Sequence, residues 1–203
     1  FQRIAAAHKF PWAMTLGAIQ DKNLITKMAA KIAEDSKRMG INWDFAPVVD
    51  VNTNPDNPII GNRSFGSEVQ NVVNSALAYS NGLQDNRILA AIKHFPGHGD
   101  TSTDSHFDLP VVAHNLDRLN AVELAPFKAL MDKGIGGVMV AHLYVPALEK
   151  ENGIPASISK NIITGLLKEK FGYKGLIITD ALNMGAVAKR YKPGELDARA
   201  FKA

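Results

Sequence analysis

Three short apolar segments, each ending at or just before a charged or polar residue, constrain the fold of this chain most strongly. They are residues 88 to 92 (ILAAI), 134 to 142 (GIGGVMVAH) and 175 to 180 (GLIITD). Their nearly continuous apolar character is typical of strands that are buried on both faces of a parallel sheet. Segments with helical periodicity lie between them. The sequence therefore predicts alternating strands and helices, with helices covering the sheet.

Helix and loop signals divide the remaining chain. Helices are predicted at residues 21 to 40, 67 to 83, 116 to 131 and 159 to 171. A capping box beginning at Ser67 starts the second helix, Pro126 is expected to kink or divide the third, and Ser159 caps the fourth. Residues 41 to 51 (INWDFAPVVDV) are predicted to form a further strand that runs into a loop at Pro47. No regular element is assigned to residues 1 to 20.

The predicted strands end in polar residues, which are Asp50, the pair Lys93-His94, His142 and Asp180. In a (β/α)8 TIM-type barrel the carboxyl ends of all strands surround one site, so these positions would converge. A doubly wound open sheet is the alternative, but no Gly-x-Gly-x-x-Gly follows a strand to support a dinucleotide site. A complete barrel typically needs about 250 residues. We therefore expect one domain, residues 1 to 203, that is an incomplete α/β barrel lacking its first and last strands.

Composition excludes several classes of function. The formal charge is +3 with no dense Lys/Arg block, which argues against nucleic acid as a partner. No apolar run approaches the roughly 20 residues of a membrane span. The absence of cysteine excludes disulfides, thiolate zinc sites and cysteine nucleophiles. No cofactor is predicted. The chain is expected to be soluble, in the cytoplasm or the periplasm, and its oligomeric state stays open.

The densest group of titratable residues follows the first apolar segment. It reads Lys93-His94-Phe95-Pro96-Gly97-His98-Gly99 and continues to Thr103-Asp104-Ser105-His106. Further motifs are Phe45-Ala46-Pro47-Val48-Val49-Asp50-Val51, Asn62-Arg63-Ser64-Phe65-Gly66, Pro155-Ala156-Ser157 and Ile178-Thr179-Asp180-Ala181-Leu182-Asn183-Met184. Together they resemble the catalytic barrel of glycoside hydrolase family 3, and the Asp-Ser-His form resembles its bacterial β-N-acetylglucosaminidase branch. Strings of this length are more specific than a short motif.

The resemblance implies a retaining exo-glycosidase that releases terminal β-linked N-acetylglucosamine. Asp180 matches the family's nucleophile, which forms a covalent glycosyl-enzyme, although from the residues alone it is equally a candidate helix N-cap. The resemblance also implies that His106 is the general acid/base, with Asp104 as its partner. Imidazole titrates near neutrality and can serve in both protonation states. Without the resemblance, His106 would be interpreted as a surface loop residue.

Three more residues are expected to bind the sugar. The resemblance implies that Arg63, Lys93 and His94 hydrogen-bond the hydroxyls of a small carbohydrate or muropeptide-like substrate. Each also has an ordinary interpretation, as a solvated loop residue, an ion-paired lysine and a core histidine respectively. Structural or supporting roles are expected for the remaining polar residues Asp50, His98 and His142.

Other functions compete with this one. A metal hydrolase would draw its ligands from His94, His98, Asp104 and His106, but the proline and glycines nearby disfavour the helix that the His-x-x-x-His spacing needs. A carbohydrate-binding barrel without turnover would keep the same motifs. Within the enzyme interpretation, N-acetylglucosaminide or glucoside as the substrate, and water or phosphate as the acceptor, stay open.

Overall fold

The computed structural model describes residues 7 to 105, 108 to 192 and 194 to 203. Within these residues a parallel sheet contains four strands, β1 (Trp43–Asp44), β2 (Leu89–Phe95), β3 (Gly137–Val140) and β4 (Leu176–Thr179). Their order in the sheet follows the chain, β1-β2-β3-β4. Parallel neighbours that are also consecutive in the chain require a crossover connection between each pair, which is how the strands of a barrel are arranged.

Helices lie before, between and after the strands. The α-helices are α1 (Ala13–Gly17), α2 (Asn23–Arg38), α3 (Val69–Gln84), α4 (Leu116–Arg118), α5 (Ala125–Met131), α6 (Gly185–Ala188) and α7 (Glu195–Lys202). The π-helical segments are Leu119–Glu123 and Asn161–Lys170, and the 3₁₀ turns are Gly61–Arg63 and Ala156–Ile158. Among the described residues, none of these helices has the length and apolar character needed to cross a membrane.

Apolar residues of the strands and the covering helices form the main core. Ile92 and Phe95 of β2 and Val138 of β3 are fully buried, and Phe127 of α5 meets Phe95 edge to face with ring centroids 5.2 Å apart. Burial on both faces explains why these strands are continuous apolar runs. Strand β4 corrects the prediction of two buried faces, because it lies at an edge of the described sheet and Leu176 is 52% exposed.

Three of the predicted strands are confirmed as β2, β3 and β4. The prediction for residues 41 to 51, a strand that runs into a loop at Pro47, is confirmed in part, because a strand is present but its regular part is only Trp43–Asp44. Pro47 has no N–H to donate, which interrupts a regular ladder. Pairing with β2 continues through individual bonds, such as the 2.8 Å bond from the Val49 N–H to the Lys93 carbonyl oxygen. Asp50 therefore follows an irregular segment that still runs beside β2.

The helix predictions need smaller corrections. The predicted capping box at Ser67 is wrong, because Glu68 is the N-cap residue of α3 and makes no side-chain cap hydrogen bond. Pro126 lies in the first turn of α5, which confirms that the third helix is divided. The Ser159 hydroxyl accepts a 3.1 Å bond from the Ile162 N–H, so its capping role is confirmed. Helix α1 lies where no element was predicted.

Candidate active site

A small cavity lies between the strand ends and the loop that follows β2. Its volume is about 200 Å³, below the roughly 300–1,000 Å³ of typical ligand pockets. It is lined by Phe45, Ile59, Arg63, Lys93, His94, His98, Ser105, Met139 and Asp180. Cationic, carboxylate and imidazole groups therefore border the same space as three apolar side chains.

The loop before α3 delivers Arg63 to this cavity. Asn57 in the same loop is buried, and its side-chain amide donates a 2.8 Å bond to the His98 carbonyl oxygen. The Ser64 hydroxyl donates a 2.6 Å bond to the Asp50 carbonyl oxygen. These bonds attach the loop to the chain on either side of the cavity, so the backbone that carries Arg63 has a fixed position.

Asp50 is the centre of a buried hydrogen-bond network. Its side chain is fully buried, and it accepts bonds from the backbone N–H groups of His94 at 3.1 and 3.2 Å and of His98 at 2.7 Å. The Nδ1 of His94 lies 2.7 Å from Asp50 Oδ2, and the Nε2 of His94 lies 3.2 Å from Nη2 of Arg63. Asp50, His94 and Arg63 thus form a continuous chain of contacts from the core to the cavity.

Burial and charge oppose each other around this network. Burial would raise the pKa of Asp50, but its interactions with His94 and His98 outweigh burial, so the pKa of this carboxyl is lowered. Burial lowers the pKa of Lys93, and the nearby charge of Arg63 lowers it further, while neighbouring carboxylates offset part of the change. Lys93 therefore holds its proton less firmly than a solvated lysine does.

His98 organises the loop after β2. Its side chain is buried, with Nδ1 2.5 Å from Thr101 Oγ1 and Nε2 3.3 Å from Ser105 Oγ. Burial lowers the pKa of His98 to about 4, so the imidazole is neutral near pH 7. His98 therefore supports the loop through hydrogen bonds rather than through charge.

Asp180 directly follows β4 and borders the cavity. Its N–H donates a 2.8 Å bond to the Val140 carbonyl oxygen, which continues the pairing of β3 with β4. Its Oδ1 accepts a 2.8 Å bond from the Ala181 N–H. The structure contradicts the interpretation of Asp180 as a helix N-cap, because α6 begins at Gly185 with Met184 as its N-cap residue.

His142 supports the backbone beside Asp180. It is fully buried, burial lowers its pKa, and its Nε2 lies 3.0 Å from the Ala181 carbonyl oxygen. Its Nδ1 lies 2.7 Å from the Ser157 hydroxyl. A carbonyl oxygen can only accept, so in the neutral ring the proton is on Nε2 and Ser157 donates to Nδ1. His142 thereby fixes the chain immediately after Asp180.

Residues 1 to 203 match the sequence profile of the glycosyl hydrolase family 3 N-terminal domain. The chain belongs to glycosyl hydrolase family 3. The resemblance found in its motifs is therefore confirmed, and so is the barrel-type α/β fold class, to which the parallel strands of the described residues contribute.

Relatives in family 3 include both curated proteins and solved structures. The chain is 38% identical to beta-hexosaminidase A of Pseudoalteromonas piscicida, over 97% of this chain and 35% of the relative. It is 44% identical to the structure of a family 3 beta-N-acetylglucosaminidase from Paenibacillus sp. str. FPU-7, with a TM-score of 0.91, over 94% of this chain and 36% of that one. A beta-glucoside phosphorylase, BglX, is 30% identical with a TM-score of 0.82, over 86% and 33%. The chain thus spans about a third of the length of these relatives.

The family 3 motifs predicted six site residues, and the structure brings four of them to one cavity. These four are Arg63, Lys93, His94 and Asp180. Asp104 lies in the described part of the loop, where its carbonyl oxygen accepts a 3.1 Å bond from the Asp108 N–H. His106 lies outside the described residues.

Several cavity residues were not identified from the sequence. Phe45, Ile59 and Met139 have no chemical signature that separates them from ordinary core residues. Ser105 stands beside His106 in the same motif, so that motif was a usable signal. Asp50 does not line the cavity, but it contacts the cavity residue His94 directly, which agrees with the structural or supporting role expected for it.

Within residues 7 to 105, 108 to 192 and 194 to 203, no group of three His, Asp or Glu side chains is arranged to hold a metal ion. The rings of His94 and His98 lie with centroids 6.0 Å apart, and each is engaged in the hydrogen bonds described above. The described residues therefore give the metal-hydrolase interpretation no support.

Proposed function

We propose that the protein is a retaining exo-glycosidase that releases terminal β-linked N-acetylglucosamine. The observation that supports this most is the convergence of Asp180 with Arg63 and Lys93 on one small cavity. A glycosidase needs a carboxylate at the anomeric carbon and donors for the sugar hydroxyls. The relatives named beta-hexosaminidase and beta-N-acetylglucosaminidase support the choice of sugar.

The proposed reaction has two steps. In the first, a carboxylate oxygen of Asp180 attacks the anomeric carbon and forms a glycosyl ester, while the bond from that carbon to the leaving oxygen breaks. His106, as imidazolium partnered by Asp104, gives its proton to the leaving oxygen. In the second step the neutral His106 takes a proton from water, the water oxygen attacks the same carbon, and Asp180 leaves as a carboxylate. Two inversions give net retention.

Binding of the terminal sugar is assigned to Arg63, Lys93 and the apolar side chains of the cavity. Arg63 and protonated Lys93 are donors without acceptor sites, which suits them to the hydroxyl oxygens of a sugar. Phe45, Ile59 and Met139 offer apolar surface for the carbon-bound faces of the ring. The small volume of the cavity favours a single terminal sugar over an internal unit of a polymer, and so favours exo action.

Phosphorolysis is the second candidate, favoured by the similarity to a beta-glucoside phosphorylase. An imidazole acid/base does not repel a phosphate dianion, as a second carboxylate would. Phosphate could then replace water as the group that takes the sugar from the Asp180 ester. The same similarity keeps a β-glucoside as the alternative substrate.

The test is an assay of the full-length protein on nitrophenyl N-acetylglucosaminide and nitrophenyl glucoside, each with and without phosphate. The proposal expects N-acetylglucosamine to be released in the absence of phosphate, and chelation to leave the rate unchanged. Glycosyl phosphate as the product would favour phosphorolysis. Sugar binding without turnover would favour the non-enzymatic barrel, and loss of activity on chelation would favour the metal hydrolase; either would contradict the proposal.

A further inference from the structure

The chain of contacts from Asp50 through His94 to Arg63 contains one imidazole between an anion and a cation. Asp50 Oδ2 lies 2.7 Å from Nδ1 of His94, and Arg63 Nη2 lies 3.2 Å from Nε2 of the same ring. Both ring nitrogens of His94 are therefore engaged by groups of known hydrogen-bonding character. This allows the proton on the ring to be assigned from chemistry.

The assignment follows from what each neighbour can do. An ionised carboxylate only accepts hydrogen bonds, so the Nδ1 that faces Asp50 must carry a proton. A guanidinium only donates, so the Nε2 that faces Arg63 must offer its lone pair. Protonation of both nitrogens would set two donors against each other at the Arg63 contact. The backbone N–H groups of His94 and His98, which donate to Asp50, favour its ionised form.

We propose that Asp50 is a positioning residue: it holds His94 as the neutral ring with its proton on Nδ1, so that Nε2 of His94 accepts a hydrogen bond from Arg63 and aims the guanidinium into the cavity. The role of this guanidinium in binding a sugar rests on the proposed function. Arg63 Nη1 also donates a 3.1 Å bond to the Ile59 carbonyl oxygen, so both ends of the guanidinium are held. Its remaining N–H groups are then oriented donors for sugar hydroxyls.

The backbone donors around Asp50 should make this arrangement sensitive to the replacement of a single carboxylate oxygen. Both carboxylate oxygens accept from backbone N–H groups or from the ring of His94, and those N–H groups cannot change from donor to acceptor. In an Asp50→Asn variant, one oxygen becomes an NH₂ donor. The ring of His94 is the neighbour that can adapt, by moving its proton from Nδ1 to Nε2. That proton would then face Arg63 and displace its guanidinium.

The first test observes the proton directly and needs no turnover. In the NMR spectrum of the full-length protein labelled with ¹⁵N-histidine, the signals of His94 are assigned as those that are absent from a His94→Asn variant. We expect protonated Nδ1 and unprotonated Nε2 near pH 7, and a shift of the proton to Nε2 in Asp50→Asn. An Nε2–H ring or an imidazolium in the wild type would overturn the proposal, whether or not the protein proves to be a glycosidase.

The second test measures sugar binding. Asp50→Asn should raise the inhibition constant of N-acetylglucosamine about 10- to 100-fold, by analogy with the loss when the partners that orient metal-ligating histidines are removed. The rate ratio between good and poor leaving groups should not change, because the chemical step is not touched. The matched control is Asp56→Asn, an exposed aspartate on the loop that carries Arg63, which should bind as the wild type does.

A pair of variants at His94 keeps the test decisive if Asp50→Asn does not fold. Glutamine places its amide near the Nε2 position and can offer its oxygen to Arg63, whereas asparagine places its amide near Nδ1 and cannot. His94→Gln should therefore retain more affinity for N-acetylglucosamine than His94→Asn. Equal losses, or a wild-type inhibition constant in a folded Asp50→Asn variant, would overturn the proposal. Failure of the wild type to bind the sugar would instead count against the proposed function.

Discussion

Asp50 and Asp180 both lie near the carboxyl ends of the sheet, but their surroundings are opposite. Asp50 is fully buried and accepts hydrogen bonds from the backbone of His94 and His98, in addition to its contact with the His94 ring. Asp180 is half-buried, borders the cavity and accepts from the N–H of its own neighbour, Ala181. Position at a strand end therefore does not decide the role of a carboxylate.

The donors around each carboxylate explain the difference. Several fixed donors stabilise an anion but also restrain it, because nucleophilic attack would require those bonds to break. A carboxylate that borders a cavity can make its strongest contacts with a ligand. We therefore assign positioning to Asp50 and covalent chemistry to Asp180, two roles that variants at these positions should separate.

The largest effect is expected at the reacting carboxylate. Asp180→Asn should lower kcat by about 10⁴-fold or more, because the amide has nearly the same shape but cannot form the glycosyl ester. Thermal unfolding should be unchanged, since the side chain faces the cavity. Steady-state kinetics and a melting curve check both parts. A folded variant that keeps a tenth of the wild-type turnover would remove Asp180 from the mechanism.

The loss of rate on removal of the general acid should depend on the leaving group of the substrate. His106→Ala should slow natural substrates by about 10²- to 10⁴-fold, the usual contribution of general acid catalysis. Nitrophenyl glycosides need little help from an acid, so they should lose less. Initial rates on a chitooligosaccharide and on a nitrophenyl glycoside measure the difference. Equal losses on both substrates would argue against His106 as the acid.

Asp180 should matter more than Asp50 for turnover, and Asp50 should matter more than Asp180 for stability. Asp50→Ala should lower the free energy of unfolding by about 3–5 kcal/mol, because it leaves three buried hydrogen-bond donors without their acceptor, at about 1–3 kcal/mol for each. Asp180→Ala should change it by about 1 kcal/mol or less. Urea denaturation of both variants beside the wild type gives the two values. Similar losses of unfolding free energy at the two positions would show that their surroundings differ less than we infer.

A smaller effect is expected in the pH dependence of stability. Burial lowers the pKa of His98 to about 4 in the folded protein, whereas an unfolded histidine has a pKa near 6.5. Between these two pH values, this histidine therefore binds a proton in the unfolded chain but not in the folded chain. The contribution of His98 is fully present above about pH 6.5 and is lost as the pH falls toward 4, by up to about 3 kcal/mol.

Urea unfolding at several pH values checks this effect with a matched pair of variants. His98→Gln should reduce the loss of stability between pH 6.5 and 4. His8→Gln should not, because His8 is exposed. An unchanged pH profile in His98→Gln would mean that this buried ring is not the group that titrates.

The parts of the fold that were predictable from the sequence are those whose signal is local. The strands β2, β3 and β4 are short apolar runs bounded by polar residues, and each run is complete in itself. In residues 41 to 51, Pro47 signalled the end of the strand because it has no N–H to donate, and the regular strand is Trp43–Asp44. The capping box at Ser67 failed because the chain turns into the helix one residue later, at Glu68.

The candidate site also has a part that was predictable from the sequence and a part that was not. Arg63, Lys93, His94 and Asp180 stand in motifs long enough to be read from the sequence, and they do meet at one cavity. The contacts of Asp50 were not readable, because its donors lie 44 and 48 residues further along the chain. Only the pairing of the irregular segment with β2 brings them together.

The central claim is that Asp180 forms the covalent bond, and trapping the intermediate tests it most directly. A 5-fluoro-N-acetylglucosaminyl fluoride, whose fluorines speed ester formation relative to its hydrolysis, would be incubated with the full-length protein and the product analysed by intact and peptide mass spectrometry. We predict one added fluorosugar per protein, located on the peptide that contains Asp180 and absent from Asp180→Asn. A label on another residue, or steady turnover through Asp180→Asn with no label at all, would contradict the account.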